Sequence, residues 1–146
     1  MNAVLEALRT VDDPEYPGVS IVELGLVERV EVSGRTVEVD LVPTFSGCPA
    51  LEMIAADVGA TVSALDGVDD VQVRFVATPA WTPARISDGA RERLAERFGV
   101  AVSVGGQAVA CPVCGGDTVE ESLFGPARCR SIRRCVACGE IVETVR

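Results

Sequence analysis

Two short stretches, "CPVCGG" from residue 111 and "CVACGE" from residue 135, carry four of the chain's six cysteines. Twenty residues separate Cys114 from Cys135. Two cysteines three positions apart can clasp one ion from a tight turn, and the glycine after each pair lets that turn close with N–H groups facing sulfur. Two such knuckles complete a tetrahedron of thiolates at Cys111, Cys114, Cys135 and Cys138, the pattern of a zinc ribbon. The 36-residue tail from 111 to 146 is too short to hold itself together by burial, so a bound metal would replace a core. Disulfides and a rubredoxin-like iron site with the same four cysteines stay open as alternatives, because spacing does not separate zinc from iron. Cys129, in "ARCRSIRRC", is left over as an ordinary buried thiol, a spare ligand or a redox partner. Arg128, Arg130, Arg133 and Arg134 around it read as a solvated face, an acid-binding surface or partners for acids of the same chain.

The sixth cysteine is solitary. Cys48 stands in "TFSGCPALEM" between Gly47 and Pro49, where Pro49 suits the first position of a helix. The positive end of a helix dipole there favours a negative group, so the site suits a thiolate as well as an incidental cap-site thiol. Candidate neighbours are Asp13 and Glu15 in "DDPEYP", and Thr44 and Ser46 just before the cysteine. Each also has an ordinary use, in capping turns or bonding backbone. The single tryptophan, Trp81, lies between Pro79 and Pro83 and reads as a packing lid.

The elements that must position these residues follow from periodicity. Val4, Leu5, Leu8 and Val11 predict a helix over 2–11, broken by "DDPEYPGVS". Ser20 and Glu23 have the spacing of a capping box, with Gly25 to end one helical turn. "LVERVEV" and "TVEVDLVPT" read as a hairpin with Val37, Val39 and Leu41 on its buried face. A long helix from Pro49 to about Leu65 presents Leu51, Ile54, Ala55, Val58, Val62 and Leu65 as one stripe. "VQVRFVAT" gives a third strand, with Val71, Val73 and Phe75 inward, parallel to the second across the helical crossover. Ser87 caps a last helix carrying Ala90, Leu94 and Phe98, which Gly99 ends. The fold class is therefore α/β in the α+β sense: a small mixed three-stranded sheet packed by helices in the order α-β-β-α-β-α, then a C-terminal zinc ribbon. Residues 1–100 form the first domain, 101–110 a linker with at most a short strand, and 111–146 the ribbon.

Composition narrows the chemistry. The chain has 146 residues, no histidine, and thirteen basic residues that are all arginine. Without histidine there is no imidazole base or ligand, which removes Ser-His-Asp and Cys-His catalysis. No lysine-bearing phosphate loop is present either, so catalysis by the chain itself is not expected. The net charge is −9, all of it in residues 1–110, with 17 acids against 8 arginines. Such a surface repels a phosphate backbone, so nucleic acid is not an expected partner. No apolar run reaches the roughly 20 residues of a membrane helix, and the N-terminus lacks the features of a secretory signal. A cytoplasmic protein with no membrane partner is expected.

"VDDPEYPGVSIVELGLVERVEV", "PTFSGCPALEMI" and "TPAWTPARIS" together resemble the SufT-like iron–sulfur assembly domain family. The Asp-Pro-Glu segment falls at Asp13–Glu15, the Leu-Gly-Leu-Val strand entry at Leu24–Val27, the Thr-x-x-Gly-Cys loop at Thr44–Cys48 and the Pro-x-Trp-x-Pro loop at Pro79–Pro83. The match spans about residues 3–100. With the ribbon added, the chain is similar to accessory components of the phenylacetyl-CoA oxygenase (epoxidase) system of phenylacetate degradation, a subgroup that also has a cysteine at the place of Cys129. The resemblance implies a maturation factor that helps install iron–sulfur or iron centres in the oxygenase or reductase subunits of that aromatic-degradation pathway. It places the family's reactive cysteine at Cys48, in transient contact with iron or a cluster. One protein ligand leaves coordination positions for a second subunit, a client or a small thiol, so a homodimer or a client complex is expected. The rival expectation is an oxygenase subunit moving electrons through a rubredoxin-like iron in the tail. A zinc-ribbon module for nucleic acid is the third, and the charge opposes it.

Overall fold

The computed structural model describes residues 1–44, 48–105, 107–125 and 130–145, in two compact units, Met1–Trp81 and Thr82–Arg146. Ser46, Cys129 and Arg128, singled out above, lie outside the described residues.

The first unit opens with helix α1 (Asn2–Leu8), shorter than the apolar spacing predicts. Thr10 ends it by donating its hydroxyl to the Ala7 carbonyl at 2.7 Å, which frees Val11 to accept from the Ile21 N–H at 2.9 Å. The proline-rich segment after it is a small antiparallel pair, β1 (Asp12–Asp13) and β2 (Tyr16–Ser20), where the sequence reads as a break. Two aspartates shape it. Asp13 Oδ1 accepts the Glu15 N–H at 2.8 Å, and Asp12 Oδ2 accepts the Gly18 N–H at 3.0 Å. Side-chain acceptors thus satisfy the N–H groups that follow Pro14 and Pro17, which themselves have none to donate. The capping box forms in both directions: Ser20 N–H to Glu23 Oε2 at 3.0 Å, and Glu23 N–H to Ser20 Oγ at 3.2 Å.

Strands β3 (Val27–Ser33) and β4 (Thr36–Leu41) make the expected hairpin about Gly34, and β5 (Asp70–Phe75) lies parallel to β4 on its other side. Between them runs helix α2 (Ala50–Ser63), which packs against β5, β1 and α1. Val37, Val39, Leu41, Ile54, Val58 and Val62 are fully or almost fully buried, as alternation and helical spacing require. Phe75 departs from expectation. It stands 36% exposed, because β5 is an edge strand and Phe75 is its last residue. The other face of the sheet is polar. The row Arg29–Asp40–Arg74 crosses all three strands, with Asp40 accepting from Arg29 Nε and from Arg74 Nε, each at 2.9 Å.

In the second unit a 3-10 turn (Pro83–Arg85) leads to helix α3 (Asp88–Phe98). Ser87 Oγ caps α3 at the Ala90 N–H, and Gly99 closes it in the left-handed conformation. Strand β6 (Val100–Val102) then pairs in parallel with the last strand, β9 (Ile141–Val145). Strands β7 (Thr118–Ser122) and β8 (Arg130–Cys135) complete a four-stranded sheet in the order β6-β9-β8-β7. Val100–Val102 is a short strand that begins one residue before the 101–110 segment read as a linker with at most a short strand. Both units are mixed α and β. Among the described residues no helix is long and apolar enough to cross a membrane.

Candidate metal centre and the Cys48 loop

The two knuckles are built alike. Gly115 N–H donates to the Cys111 carbonyl at 2.8 Å, and Gly139 N–H to the Cys135 carbonyl at 3.0 Å. Gly115 and Gly139 take φ of 75° and 78°, which glycine adopts without strain. Each knuckle also turns an amide toward sulfur: Gly116 N–H to Cys114 Sγ at 3.4 Å, and Cys138 N–H to Cys135 Sγ at 3.5 Å. Strand pairing of Thr118 with Cys135 holds one knuckle over the other.

The four sulfurs converge. Cys111 and Cys138 Sγ are 3.8 Å apart, Cys114 and Cys135 Sγ 3.4 Å, and all four lie within 4.8 Å of one another. Metal–sulfur bonds of about 2.3 Å in a tetrahedron give sulfur–sulfur edges of about 3.8 Å. A disulfide needs about 2.05 Å, so these separations match the edges of a metal tetrahedron better than a bonded pair. The donor set fits one metal ion and suits zinc. Iron forms bonds of similar length to the same thiolates.

Charge makes the same point. The Cys138 N–H, helped by the Ala137 N–H, holds the Cys135 thiol down at about 6 despite its burial. Cys138 goes the other way: the Glu140 N–H pulls it down, but Cys114, burial and the other two cysteines push it up to about 12. Four thiolates this close repel one another unless a cation sits among them. The arginines beside the ribbon pair internally. Arg130 bonds Glu143, Arg134 bonds Glu121, and Arg133 donates to the Thr118 hydroxyl and carbonyl at 2.8 and 2.9 Å.

Cys48 lies in the first unit as a half-buried free thiol. The helix cap is Pro49, so Cys48 stands one residue before it, and its carbonyl accepts the Leu51 N–H at 3.2 Å. Thr44 lines a cleft of about 280 Å³ with Pro43, Pro79 and Trp81. Trp81 is more than a lid: its indole N–H donates to the Leu24 carbonyl at 2.8 Å. The structure thereby joins the Leu24 turn, the Thr44 segment and the Pro-x-Trp-x-Pro loop. Asp13 is buried in β1, which packs against α2, and its carboxylate accepts the N–H of Glu15, which follows half-buried. The Trp81–Leu24 bond joins residues 57 apart; the sequence singles out both segments but not the bond between them.

A mixed α and β unit with a half-buried free thiol before a helix, and a second unit with four converging cysteines, define a two-part protein with one candidate metal site. The iron-sulfur cluster assembly protein family matches residues 1–75, and the PaaD zinc beta ribbon domain matches residues 97–146. The chain belongs to the iron-sulfur cluster assembly protein family, in the form that carries the PaaD ribbon. It is 36% identical to a putative 1,2-phenylacetyl-CoA epoxidase component of Escherichia coli, over 96% of this chain and 88% of that one. It is 35% identical to an Fe-S protein maturation auxiliary factor of Porphyromonas gingivalis, over 60% of this chain and 83% of that one. Among solved structures, a domain of unknown function from Bacillus anthracis superposes with a TM-score of 0.62 at 34% identity, covering 66% of this chain and 92% of that one.

Proposed function

We propose that this protein is a non-catalytic, cytoplasmic maturation factor for the phenylacetyl-CoA oxygenase (epoxidase) of phenylacetate degradation. It assists assembly of iron–sulfur or iron centres in the oxygenase or reductase subunits. The observation that carries this reading is the pairing in one chain of an assembly domain, whose Cys48 is an unpaired and partly exposed thiol, with the PaaD ribbon.

Cys48 serves as a transient ligand for iron or a cluster as cargo. Thiolate sulfur is soft enough to bind iron, and a single protein ligand binds too weakly to retain it. A second subunit, the client or a small thiol supplies the remaining positions. Asp13, Glu15, Thr44 and Ser46 are the candidate groups around that exchange. In the ribbon, Cys111, Cys114, Cys135 and Cys138 hold zinc, which fixes the fold of the second unit.

Cys48→Ala tests the reading. The variant should fold and keep its ribbon metal, while oxygenase matured beside it under iron limitation should lose most of its iron and activity. Full oxygenase activity with this variant would refute the role of the thiol. The sulfur spacing also admits iron in the ribbon, which favours one second reading, electron transfer through a rubredoxin-like centre. Metal analysis and absorption of the purified protein separate the two, since such an iron site is red and bleaches on reduction while a zinc site is colourless.

A further inference from the structure

Exposed apolar side chains are concentrated on the ribbon. Of ten large hydrophobic residues that stand exposed among the described residues, six lie beyond residue 110. Val113 is 71% exposed and Ile141 51%. Val119, Arg134 and Ile141 are direct cross-strand partners, so they share one face of the sheet. Strand β6 pairs with β9 only from Glu143 onward, and its first residue, Val100, follows directly on the end of α3. Where β6 is missing beside Ile141, a cleft of about 200 Å³ opens, walled by Phe98, Pro112, Val113 and Ile141. Glu140 stands on its lip, exposed and, among the described residues, without an ion pair, whereas Glu143, Glu121 and Glu120 are each neutralised by an arginine of the same sheet.

We propose that this cleft is a docking site for an extended protein segment that carries an apolar side chain next to a lysine or arginine. A volume of about 200 Å³ suits one or two aliphatic side chains or one ring. Apolar surface of this kind, rimmed by charge, marks interaction sites. The charge selects the occupant. The described arginines of the ribbon are already satisfied, so the Glu140 carboxylate at the cleft has no cation among the described residues. An acidic segment would meet repulsion there, and a basic one supplies the missing partner. The occupant is a segment of a client protein. This deepens the proposed function by assigning recognition to the ribbon and metal contact to Cys48, yet the site can be tested without knowing the client.

The probe is a random heptapeptide library displayed on phage, panned against the full-length, zinc-loaded protein. Selected peptides should share an apolar residue adjacent to Lys or Arg. Synthetic versions should lose at least tenfold in affinity for Val113→Ser combined with Ile141→Ser. Glu140→Gln should cost about threefold and remove most of the salt dependence. Zinc content and circular dichroism establish that the variants are folded, and Cys48→Ala should bind the peptides as the wild type does. Absence of a consensus, a consensus lacking the basic residue, or binding indifferent to these substitutions overturns the proposal. So does a wild-type dimer that the Val113→Ser, Ile141→Ser variant converts to monomer, because a second copy would then fill the cleft. Failure of the Cys48→Ala maturation test with intact peptide binding would instead count against the metal-transfer reading alone.

Discussion

Gly116 shows how closely the ribbon's backbone approaches its sulfurs. A Cβ placed there would lie 2.9 Å from Ala137 Cβ, 3.2 Å from Cys114 Sγ and 3.3 Å from Cys135 Sγ. The first contact is with a short, stiff side chain on the opposite knuckle, so one knuckle must move away from the other. Gly115 is different, since nothing lies within 4 Å of a Cβ built there and its constraint is the positive φ. Gly116→Ala should therefore spread the four sulfurs and weaken metal binding, at a cost of about 1–3 kcal/mol. Competition with a colorimetric chelator would read this as a roughly tenfold or greater loss of affinity. Wild-type affinity in the variant would mean that the knuckles tolerate separation.

At the scale of elements, the polar face of the three-stranded sheet depends on Asp40, one of the few buried carboxylates. The Arg29 guanidinium, then Arg74, hold its carboxyl below the usual range for an aspartate, against the effect of burial. A depressed folded-state value means that the stabilisation is complete above the unfolded value, about 3.9, and is lost as pH falls through the lower folded value. Asp40→Asn should cost about 1 kcal/mol at pH 7, since both arginines are half exposed, and progressively less as pH falls below about 3.9. Denaturant unfolding of the first unit at several pH values checks both the size and the convergence in acid. This arrangement was partly legible in advance. Alternation in "TVEVDLVPT" put Asp40 opposite Val39, but alternation cannot say which cations face it across neighbouring strands. The same limit explains β1 and β2, whose bonds come from aspartate side chains around two prolines, so neither periodicity nor propensity marks them. Helices α2 and α3 and the β3–β4 hairpin were legible because burial periodicity and end signals agree there. The four thiolates were legible from spacing alone, whereas the cleft beside Ile141 arises where one short strand stops, and no local pattern records that.

For the whole molecule, the two units have different sources of stability. The first buries Leu8, Ile21, Leu41, Ile54 and Val58 almost completely. Among the described residues, one buried cluster of the ribbon consists of Cys111, Cys135 and Val142, with Ala101 packed against it. Two of those three are proposed metal ligands, so removing the ion also exposes the core to charge repulsion and solvent. Chelation, or Cys138→Ser, should thus release β7, β8 and β9 while leaving β3, β4, β5 and α2 folded. Amide hydrogen exchange on the full chain gives the test. Protection should disappear across Thr118–Ser122 and Arg130–Val145 when metal is withdrawn, and Thr36–Leu41 and Ala50–Ser63 should keep theirs. Lower pH should act in the same direction as chelation, because protons compete with the metal for the thiolates. If protection were lost together in both units, the metal would be stabilising the chain as one cooperative body. Independent roles for Cys48 and the ribbon would then have to be given up.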